Sequence, residues 1–308
     1  MKSPVEAALR NIVRDPDRVR PQEPMAPRTT FRIGGPAEFL VEVHTMAELL
    51  GVLEVVGKYG LPLHILGNGS NVLVPDEGVP GVVLVLEGDL ADRRIEGTRV
   101  VAGGGCNLAR LAVEVSRMGL GGLHFACAIP GTVGAGLVIN AGAHGGEMSQ
   151  VVAEAEVVWP EDGRVQRLRP EEIGFGYRTS RLLGTSAIVT EVVFDLYPAD
   201  RDELAARMKE LLERRRATQP LGLPNAGSIF KNPPGDYAGR LIEAAGCKGW
   251  RVGDAQVSEK HANFIVNLGR ATARDVITLA LKVRDAVESR FGVRLEPEVR
   301  IWGPNPFR

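Results

Sequence analysis

The spacing of apolar and polar positions in the first third of the chain predicts a strand, a helix and a second strand. The run FLVEV at 39–43 is typical of a strand. Thr45 and Glu48 then fit a Thr-x-x-Glu capping box, and Gly60 supplies a stop, so we predict a helix between them. A short apolar run, LHIL at 63–66, follows and leads into a glycine-rich segment.

The middle of the chain is rich in β-branched runs and predicts further strands around one helix. The helix is capped by Asn107 and ends at Gly119. Two of the strands flank a turn at 160–163 and predict a hairpin. The predicted strands are VVLVL (82–86), RVVAG (99–103), VVAEAEVVW (151–159), RVQRL (164–168) and IVTEVVFDL (188–196).

The final third of the chain predicts two long helices and a short strand. The segment DRDELAARMKELLERRRA at 200–217 is acidic at its start and basic at its end, which suits the helix dipole. We therefore interpret the arginines at 214–216 as a solvated helix end and not as a phosphate clamp. NFIVN at 263–267 predicts a strand, and the last helix runs from Thr272 to Gly292.

Composition and charge indicate a small-molecule partner. The chain has 308 residues, enough for two or three compact units, and a formal net charge of -1, which favours neither nucleic acid nor an acidic tail. The start of the chain lacks the apolar run of a signal peptide, and no segment approaches the roughly 20 apolar residues of a membrane span. Three widely spaced cysteines without a CxxC pair fit a reducing compartment. We expect a cytoplasmic protein with no membrane partner.

Two glycine-rich segments are the main chemical signal. IPGTVGAGLVINAGAHG at 129–145 has five glycines, and no lysine or arginine occurs between Arg117 and Arg164. LGNGSN at 66–71 is a second such segment. Glycine leaves main-chain N–H groups unshielded, and such groups bind phosphate without a cationic side chain. The two segments predict a dinucleotide cofactor held by backbone amides.

Two common nucleotide-binding folds are excluded by the residues around these segments. In LGNGSNVLV the third glycine of the Gly-x-Gly-x-x-Gly fingerprint is replaced by Val72, and an apolar run follows instead of a helix. No Gly-x-x-x-x-Gly-Lys-[Ser/Thr] motif occurs. The pattern favours an α+β flavin domain that holds a pyrophosphate between two loops.

Seven segments, in a fixed order from about Thr29 to Gly303, resemble the UDP-N-acetylenolpyruvoylglucosamine reductase (MurB) family. The short spacing after Tyr177-Arg178 and the Lys260-His261 pair are similar to its type II branch. His124, where the family commonly has Glu, and Ala135-Gly136 depart from the usual pattern. The segments are TTFRIGGPAEFLV, LGNGSNVLV, IPGTVGAGLVINAGAHG, FGYRTSR, NAGSIFKNP, AGRLIEAAGCKGWRVGDAQVSEKHANFIVN and LEPEVR.

The resemblance implies an α+β fold: a two-subdomain FAD-binding domain of the PCMH/VAO type, followed by a smaller α/β substrate-binding C-terminal domain. We place the FAD-binding subdomains at 1–75 and 76–197 and the substrate-binding domain at 198–308. The implied activity is NADPH-dependent reduction of UDP-N-acetylglucosamine enolpyruvate to UDP-N-acetylmuramate via bound FAD, in peptidoglycan synthesis. NADPH is the implied co-substrate, and a monomer is favoured.

Three residues carry the implied chemistry. Arg178 matches the arginine that pairs with the substrate carboxylate, where a planar cation suits a developing enolate. Ser228 matches the proton donor to the α-carbon. Glu298 matches an acidic residue that assists, and because a carboxylate would repel the enolate we hypothesise that it is protonated or acts through a bridging group. Glu296, two residues earlier, would share its face if the segment were a strand.

The remaining candidate residues belong to the cofactor and the UDP-sugar. The five histidines have no paired metal spacing, so no metal site is expected, and the cysteines are interpreted as buried small hydrophobes. The substrate candidates are Tyr177, Asn232, Lys260 and His261. The cofactor candidates are Gly67, Asn68, Gly69, Ser70, Asn71, Pro130, Gly131, Thr132, Gly134, Ala135, Asn140 and Gly142.

Two other functions stay open at the level of the sequence. The chain could be another VAO-type flavin oxidoreductase that oxidises an alcohol with oxygen as acceptor. It could also be a non-catalytic module whose loops sense a nucleotide. Such a module has no need for Arg178, Ser228 and Glu298 together, whereas a reductase does.

Overall fold

The computed structural model describes residues 3–307, which form two compact units. The first unit contains the chain up to Pro21, Phe39–Asn68 and Pro80–Arg214. The second contains Gln22–Glu38, Gly69–Val79 and the chain from Arg215 onward. The three-part division at 75 and 197 stays a prediction.

The α-helices of the described residues agree with the predicted ones and include short additional helices. They are α1 (Pro4–Ile12), α2 (Met46–Tyr59), α3 (Leu108–Arg117), α4 (Val133–Val138), α5 (Pro170–Ile173), α6 (Arg201–Thr218), α7 (Ala238–Ala244) and α8 (Ala273–Phe291).

The strands begin and end close to the predicted runs, and short strands add to them. In the N-terminal half they are β1 (Val19–Pro24), β2 (Pro36–Val43), β3 (Leu63–Ile65), β4 (Val72–Leu73), β5 (Val79–Leu86), β6 (Arg93–Glu96), β7 (Arg99–Gly103), β8 (Leu120–Gly121), β9 (Gly142–Ala143) and β10 (Gly146–Glu147). In the C-terminal half they are β11 (Val152–Trp159), β12 (Arg164–Leu168), β13 (Ile188–Asp195), β14 (Tyr197–Pro198), β15 (Arg251–Val252), β16 (Ala255–Val257), β17 (Ile265–Asn267) and β18 (Arg300–Ile301).

Two sheets account for most of the first unit. One has the strand order β1-β2-β5-β3, and α2 packs its buried face, including Leu49 and Val52, into the same core as Val41 and Val82. The other has the order β12-β11-β13-β7-β6. The predicted hairpin is confirmed, because β11 pairs antiparallel with β12. This second sheet shares its core with α3 and with the 129–145 segment.

The predicted capping box at the start of α2 is half correct. Thr45 Oγ1 accepts a hydrogen bond from the Glu48 amide at 3.2 Å, as predicted. The Glu48 carboxylate, however, accepts from both terminal nitrogens of Arg18, at 2.6 and 2.8 Å, and from the amides of Arg14 and His44. A buried cation outweighs the local cap here because an ion pair with two charge-assisted bonds is stronger than one bond to an amide.

The second unit is built from segments far apart in the chain. β4 pairs in parallel with β18, and β15, β16 and β17 form an antiparallel sheet. Phe31, Ile33 and Leu73 from the early segments are buried with the apolar faces of α7 and α8. The predicted limits of α8 are confirmed: Thr272 caps it and Gly292, at φ +67°, ends it.

Among residues 3–307, no helix combines the length and apolar character needed to cross a membrane.

Candidate functional site

The two glycine-rich segments meet in the first unit. A Cβ added at Gly67 would lie 2.9 Å from Thr132 Oγ1 and 3.6 Å from Ala135 Cβ, so no side chain fits between them. Gly67 is half-buried, and Gly131 and Thr132 are buried. The sequence therefore predicted correctly that these segments adjoin, and glycine at 67 is required by this close approach.

Many backbone amides of the second glycine segment already donate to protein acceptors, so fewer remain open, that is, without such an acceptor, than the glycine content suggested. The amides of Val133 and Gly134 donate to the carbonyls of Cys106 and Gly104, each at 2.8 Å. Further along, the Gly136 amide donates to Thr132 O, and the Ala135 amide donates to Thr132 Oγ1. Among the described residues, the amides of Gly131 and Thr132 have no protein acceptor.

Gly131 has a backbone conformation that L-residues avoid. Its φ is +140°, which only glycine adopts without strain. This conformation precedes the tight turn into α4, whose N-cap is Thr132. The glycine is thus required by the backbone, quite apart from any ligand.

The first glycine segment has open amides at its start and structural contacts at its end. Within the part of the chain that the structure describes, the amides of Gly67, Asn68 and Gly69 have no protein acceptor. Gly69, at φ +61°, allows no side chain because a Cβ would lie 2.2 Å from Arg28 O. Asn71 donates through Nδ2 to Glu298 O at 3.3 Å, and its own carbonyl accepts from the Arg300 amide at 3.0 Å.

Several other cofactor candidates have structural reasons for their identity. A Cβ at Gly134 would lie 3.1 Å from Gly104 O, and one at Gly142 would lie 2.7 Å from Gly146 O in the β9–β10 hairpin. The Asn140 side chain is buried, and both of its polar atoms are hydrogen-bonded to protein. Pro130 and Ala135 are exposed, and Ser70 is half-buried. Their cofactor roles stay predictions.

Arg178 lies in a strained turn. Gly176 and Thr179 exchange backbone hydrogen bonds at 2.9 and 3.2 Å, which leaves Tyr177 and Arg178 as a two-residue turn. Arg178 has φ +54°, a conformation that costs a non-glycine residue roughly 1–2 kcal/mol. Its Nε atom is buried, whereas Tyr177 is 57% exposed. Strained residues of this kind cluster at functional sites, which fits a side chain required at this position.

The second unit brings Ser228 next to Glu298. The segments around them pair: the Lys231 amide donates to Glu296 O at 2.9 Å, and the Glu298 amide donates to Ile229 O at 2.8 Å. The half-buried Ser228 hydroxyl has no hydrogen-bond partner among residues 3–307. A serine hydroxyl that is not committed to a protein partner is able to act in proton transfer.

Glu296 and Glu298, which regular strand alternation would place on one face, differ in their exposure. Pro297 forms an isolated bridge with Phe230, and the amides of Glu298 and Val299 both point to Ile229 O, so regular strand alternation is broken. The Glu296 side chain is 76% exposed, with Lys231 Nζ at 3.7 Å, while Glu298 is half-buried. The two carboxylates therefore have different surroundings.

The substrate candidates of the second unit gather around the start of α7. Asn232 Oδ1 accepts from the Ala238 amide at 3.0 Å. The His261 ring lies against Gly239, where an added Cβ would be 3.2 Å from its Cε1 atom. Next to His261, Lys260 Nζ donates to the carbonyl oxygen of Arg216 near the end of α6.

One exposed aromatic residue near this group was not singled out from the sequence. Tyr237 is 70% exposed, although it immediately precedes α7, and its amide donates to Asp236 Oδ1 at 2.7 Å. Its neighbour Asp236 also pairs with Arg240. Only the structure reveals that the Tyr237 side chain is exposed, and no sequence pattern singles it out.

Burial lowers the pKa of two histidines, His261 in the second unit and His144 in the second glycine-rich segment. Burial lowers the pKa of His261, whose Nδ1 accepts from the Asn263 amide, so the neutral ring carries its proton on Nε2. Burial, and the charge of Arg214, lower the pKa of His144. Glu210, in the same helix as Arg214, acts in the opposite direction.

The cysteines and acidic residues give no sign of nucleophilic or metal chemistry. All three cysteines are buried, and burial raises the pKa of Cys106 to about 11, which disfavours the thiolate. Between residues 3 and 307 no three His, Cys, Asp or Glu side chains are grouped as a metal site.

Comparisons with known proteins agree with this geometry. A family model described as "FAD binding domain" matches residues 37–169, which include both glycine segments. A second model, "UDP-N-acetylenolpyruvoylglucosamine reductase, C-terminal domain", matches residues 219–302, which include Ser228 and Glu298.

Individual relatives cover nearly the whole chain. A UDP-N-acetylenolpyruvoylglucosamine reductase 2 of Symbiobacterium thermophilum is 65% identical over 305 residues, 99% of this chain and 99% of the relative. The reductase of Heliobacterium modesticaldum is 49% identical and covers 92% of this chain and 90% of its own length. The crystal structure of MurB from Thermus caldophilus matches with a TM-score of 0.79 and 40% identity, over 91% of this chain and 97% of that chain.

Proposed function

This chain belongs to the UDP-N-acetylenolpyruvoylglucosamine reductase family, and from that membership we propose that it reduces UDP-N-acetylglucosamine enolpyruvate to UDP-N-acetylmuramate. It is an FAD-dependent oxidoreductase of peptidoglycan precursor synthesis. The observation that carries the proposal is the backbone pairing between the segment of Ser228, whose hydroxyl has no partner among the described residues, and the segment of Glu298.

The residues at the junction of the glycine segments fit FAD. The open amides of Gly67, Asn68, Gly131 and Thr132 are donors suited to phosphate oxygens. At this junction Gly67 itself contributes only main chain, and the Thr132 side chain lies close to it. When bound, FAD supplies the hydride that adds to the β-carbon of the enolpyruvyl ether.

Arg178 binds the substrate carboxylate in this proposal. Its guanidinium is permanently charged and planar, so it pairs with a carboxylate through two parallel bonds. The negative charge that develops on the α-carbon and carboxylate during reduction is stabilised by the same group. The strained turn holds the backbone of Arg178 in one conformation.

Ser228 donates the proton that completes the reduction. Its hydroxyl transfers a proton to the α-carbon, and the resulting oxygen anion recovers a proton from solvent. A serine is a very weak acid, so this step works only because the carbanion is strongly basic. Glu298 assists in its protonated form or through a bridging group, since an ionised carboxylate would oppose the negative charge of the intermediate.

The UDP-sugar is bound by the residues around α7. Neutral His261 presents Nε2–H as a donor, and Lys260 provides a cation for phosphate oxygens. Asn232 has its Nδ2 group available while Oδ1 caps Ala238. Tyr177, which belongs to the first unit and is 57% exposed, is a separate substrate candidate.

NADPH is the proposed reductant, and the proposed setting is a cytoplasmic monomer that serves cell-wall synthesis, cell shape and division. The nucleotide substrate supports this setting because activated sugar precursors are small, charged and soluble. No feature of the described residues favours nucleic acid as a partner, in keeping with the near-zero net charge.

An anaerobic visible spectrum of the purified protein tests the function. Addition of NADPH should bleach the flavin bands, and UDP-N-acetylglucosamine enolpyruvate should restore them without oxygen. Bands that return only with oxygen would favour an alcohol oxidase instead. A protein that takes up no FAD would remove the flavin assignment.

A further inference from the structure

The Arg178 turn is attached to the glycine-rich segment by a buried asparagine. Asn140 is 1% exposed, and its Nδ2 donates to Gly176 O, the first residue of the turn, at 3.0 Å. Its Oδ1 accepts from the Ser149 amide, also at 3.0 Å. The side chain therefore connects two segments of the first unit, and its burial leaves almost no surface for a cofactor contact.

A second bond attaches the other end of the same turn. Ser180, one residue after the turn and 6% exposed, donates through Oγ to Val138 O at 2.7 Å. Val138 ends α4, and Asn140 follows it by two residues. The two contacts hold residues 176 and 180, on either side of Arg178, against one short stretch of chain.

The backbone conformations at both ends of the connection require such support. Arg178 has φ +54° and Asn140 has φ +45°, and both values lie in the region that disfavours residues other than glycine. Asparagine tolerates this conformation better than most residues, whereas arginine does not. A strained turn persists only where surrounding contacts determine it.

We propose that Asn140 and Ser180 are positioning residues for Arg178, and that they couple the substrate-carboxylate site to the segment carrying Gly131 and Thr132. This inference rests on the proposed function, because it assigns to Arg178 the role of carboxylate anchor. It replaces the cofactor role that the sequence suggested for Asn140 by an indirect one.

The test uses Asn140→Asp in the FAD-loaded enzyme. Aspartate has nearly the same shape and keeps the acceptor for the Ser149 amide, but it turns a carboxylate oxygen toward Gly176 O. We expect KM for the enolpyruvyl substrate to rise about tenfold or more. The FAD content and the rate of flavin reduction by NADPH should stay at the wild-type values.

Ser180→Ala and Ser180→Thr provide the second measurement. Ser180→Ala removes the bond to Val138 with little change of volume and should raise KM in the same direction, while Ser180→Thr, which keeps the hydroxyl, should restore it. These variants decide the question if Asn140→Asp does not fold. A wild-type KM in both Asn140→Asp and Ser180→Ala would overturn the inference, as would loss of FAD with an unchanged KM in the remaining loaded enzyme.

Arg178→Lys in the same assay separates this inference from the proposed function. If Arg178→Lys raises KM and the positioning variants do not, only the coupling is wrong. If Arg178→Lys has no effect, or the wild-type enzyme does not oxidise its reduced flavin with the substrate, the proposed function and the inference both fall.

Discussion

The side-chain amide of Asn71 donates a hydrogen bond of 3.3 Å to the backbone carbonyl of Glu298. The carbonyl of Asn71 in turn accepts from the Arg300 amide, so Asn71 contacts the chain on both sides of Val299. The last residue of the first glycine segment therefore supports the main chain at the candidate acid. This contact makes Glu298 itself the first residue to test.

Glu298→Gln should slow the oxidation of reduced flavin by the substrate about 10²-fold or more, the usual loss on removing a positioned acid or base. Glu296→Gln is the matched control, because Glu296 is 76% exposed and its contact with Lys231 is a surface ion pair worth about 1 kcal/mol or less. Stopped-flow absorbance of the flavin measures both variants. Equal losses in the two would show that Glu298 has no special role.

The pH dependence of the same reaction tests the protonated form of Glu298. If that form is required, the wild-type rate falls as the pH rises and the carboxyl ionises. Glutamine cannot ionise, so Glu298→Gln should lack this decline while its rate stays low at every pH. A decline of the same shape in both enzymes would assign it to another group.

Ser228→Ala should lower turnover by roughly 10² or more, since it removes the proposed proton donor. Reduction of the flavin by NADPH does not use this proton and should proceed at the wild-type rate. Rapid-mixing experiments on the two half-reactions separate the effects. A comparable loss in both half-reactions would indicate misfolding, and full turnover would exclude Ser228 as the donor.

Gly131→Asp should abolish FAD retention because it places a carboxylate beside the amides proposed to bind phosphate. Gly131→Ala is the control, since both residues are strained at φ +140° but only aspartate adds charge. The flavin-to-protein absorbance ratio after gel filtration measures the outcome. If Gly131→Asp retains stoichiometric FAD, this loop does not bind the cofactor phosphate. If both variants lose FAD equally, the cause is backbone strain and not the added charge.

Glu48→Gln should destabilise the protein at neutral pH, because it leaves the buried Arg18 guanidinium without its anion. The hydrogen bonds from Arg18 are the main cause that lowers the pKa of Glu48 from 4.5 to about 2. That difference corresponds to roughly 3 kcal/mol of unfolding free energy, comparable to other broken buried pairs.

The stabilisation by Glu48 has a defined pH range. A carboxylate whose pKa is lower in the folded state stabilises it above the unfolded value and loses this effect as the pH falls toward the folded value. Urea unfolding of Glu48→Gln and wild type should therefore differ at pH 7 and converge between about pH 4.5 and 2. Glu243→Gln, at an exposed pair with Lys248, should differ from wild type by less than about 1 kcal/mol at either pH.

Local sequence patterns were sufficient to predict the main helices and strands and the proximity of the two glycine segments. The limits of β7 and the capping of α8 follow from neighbouring residues, and these predictions are confirmed. The partners of Asn71 and Asn140 lie 227 and 36 residues away. The pattern at one position does not determine such contacts, so these hydrogen bonds could not be predicted, and the cofactor roles of both residues stay predictions.

The Glu48 result has the same physical origin. A Thr-x-x-Glu pattern states which local bond is available, but not whether a distant cation competes for the carboxylate. Arg18, 30 residues earlier, is such a cation, and it donates to the Glu48 carboxylate. Similarly, the strain at Arg178 depends on a turn whose anchors are tertiary, so the residue could be named from a motif but its backbone conformation could not.

Because the second unit combines distant parts of the chain, its early segments are synthesised well before the segments against which they pack. Phe31 lies in its core, and Asn267, 236 residues later, donates to the Phe31 carbonyl. At about 5–20 residues per second, the early segment leaves the ribosome on the order of ten seconds to a minute before its partners exist. An apolar stretch must wait unburied for that time, so chaperone dependence and translation speed should govern the yield of this protein more than those of a chain with contiguous domains.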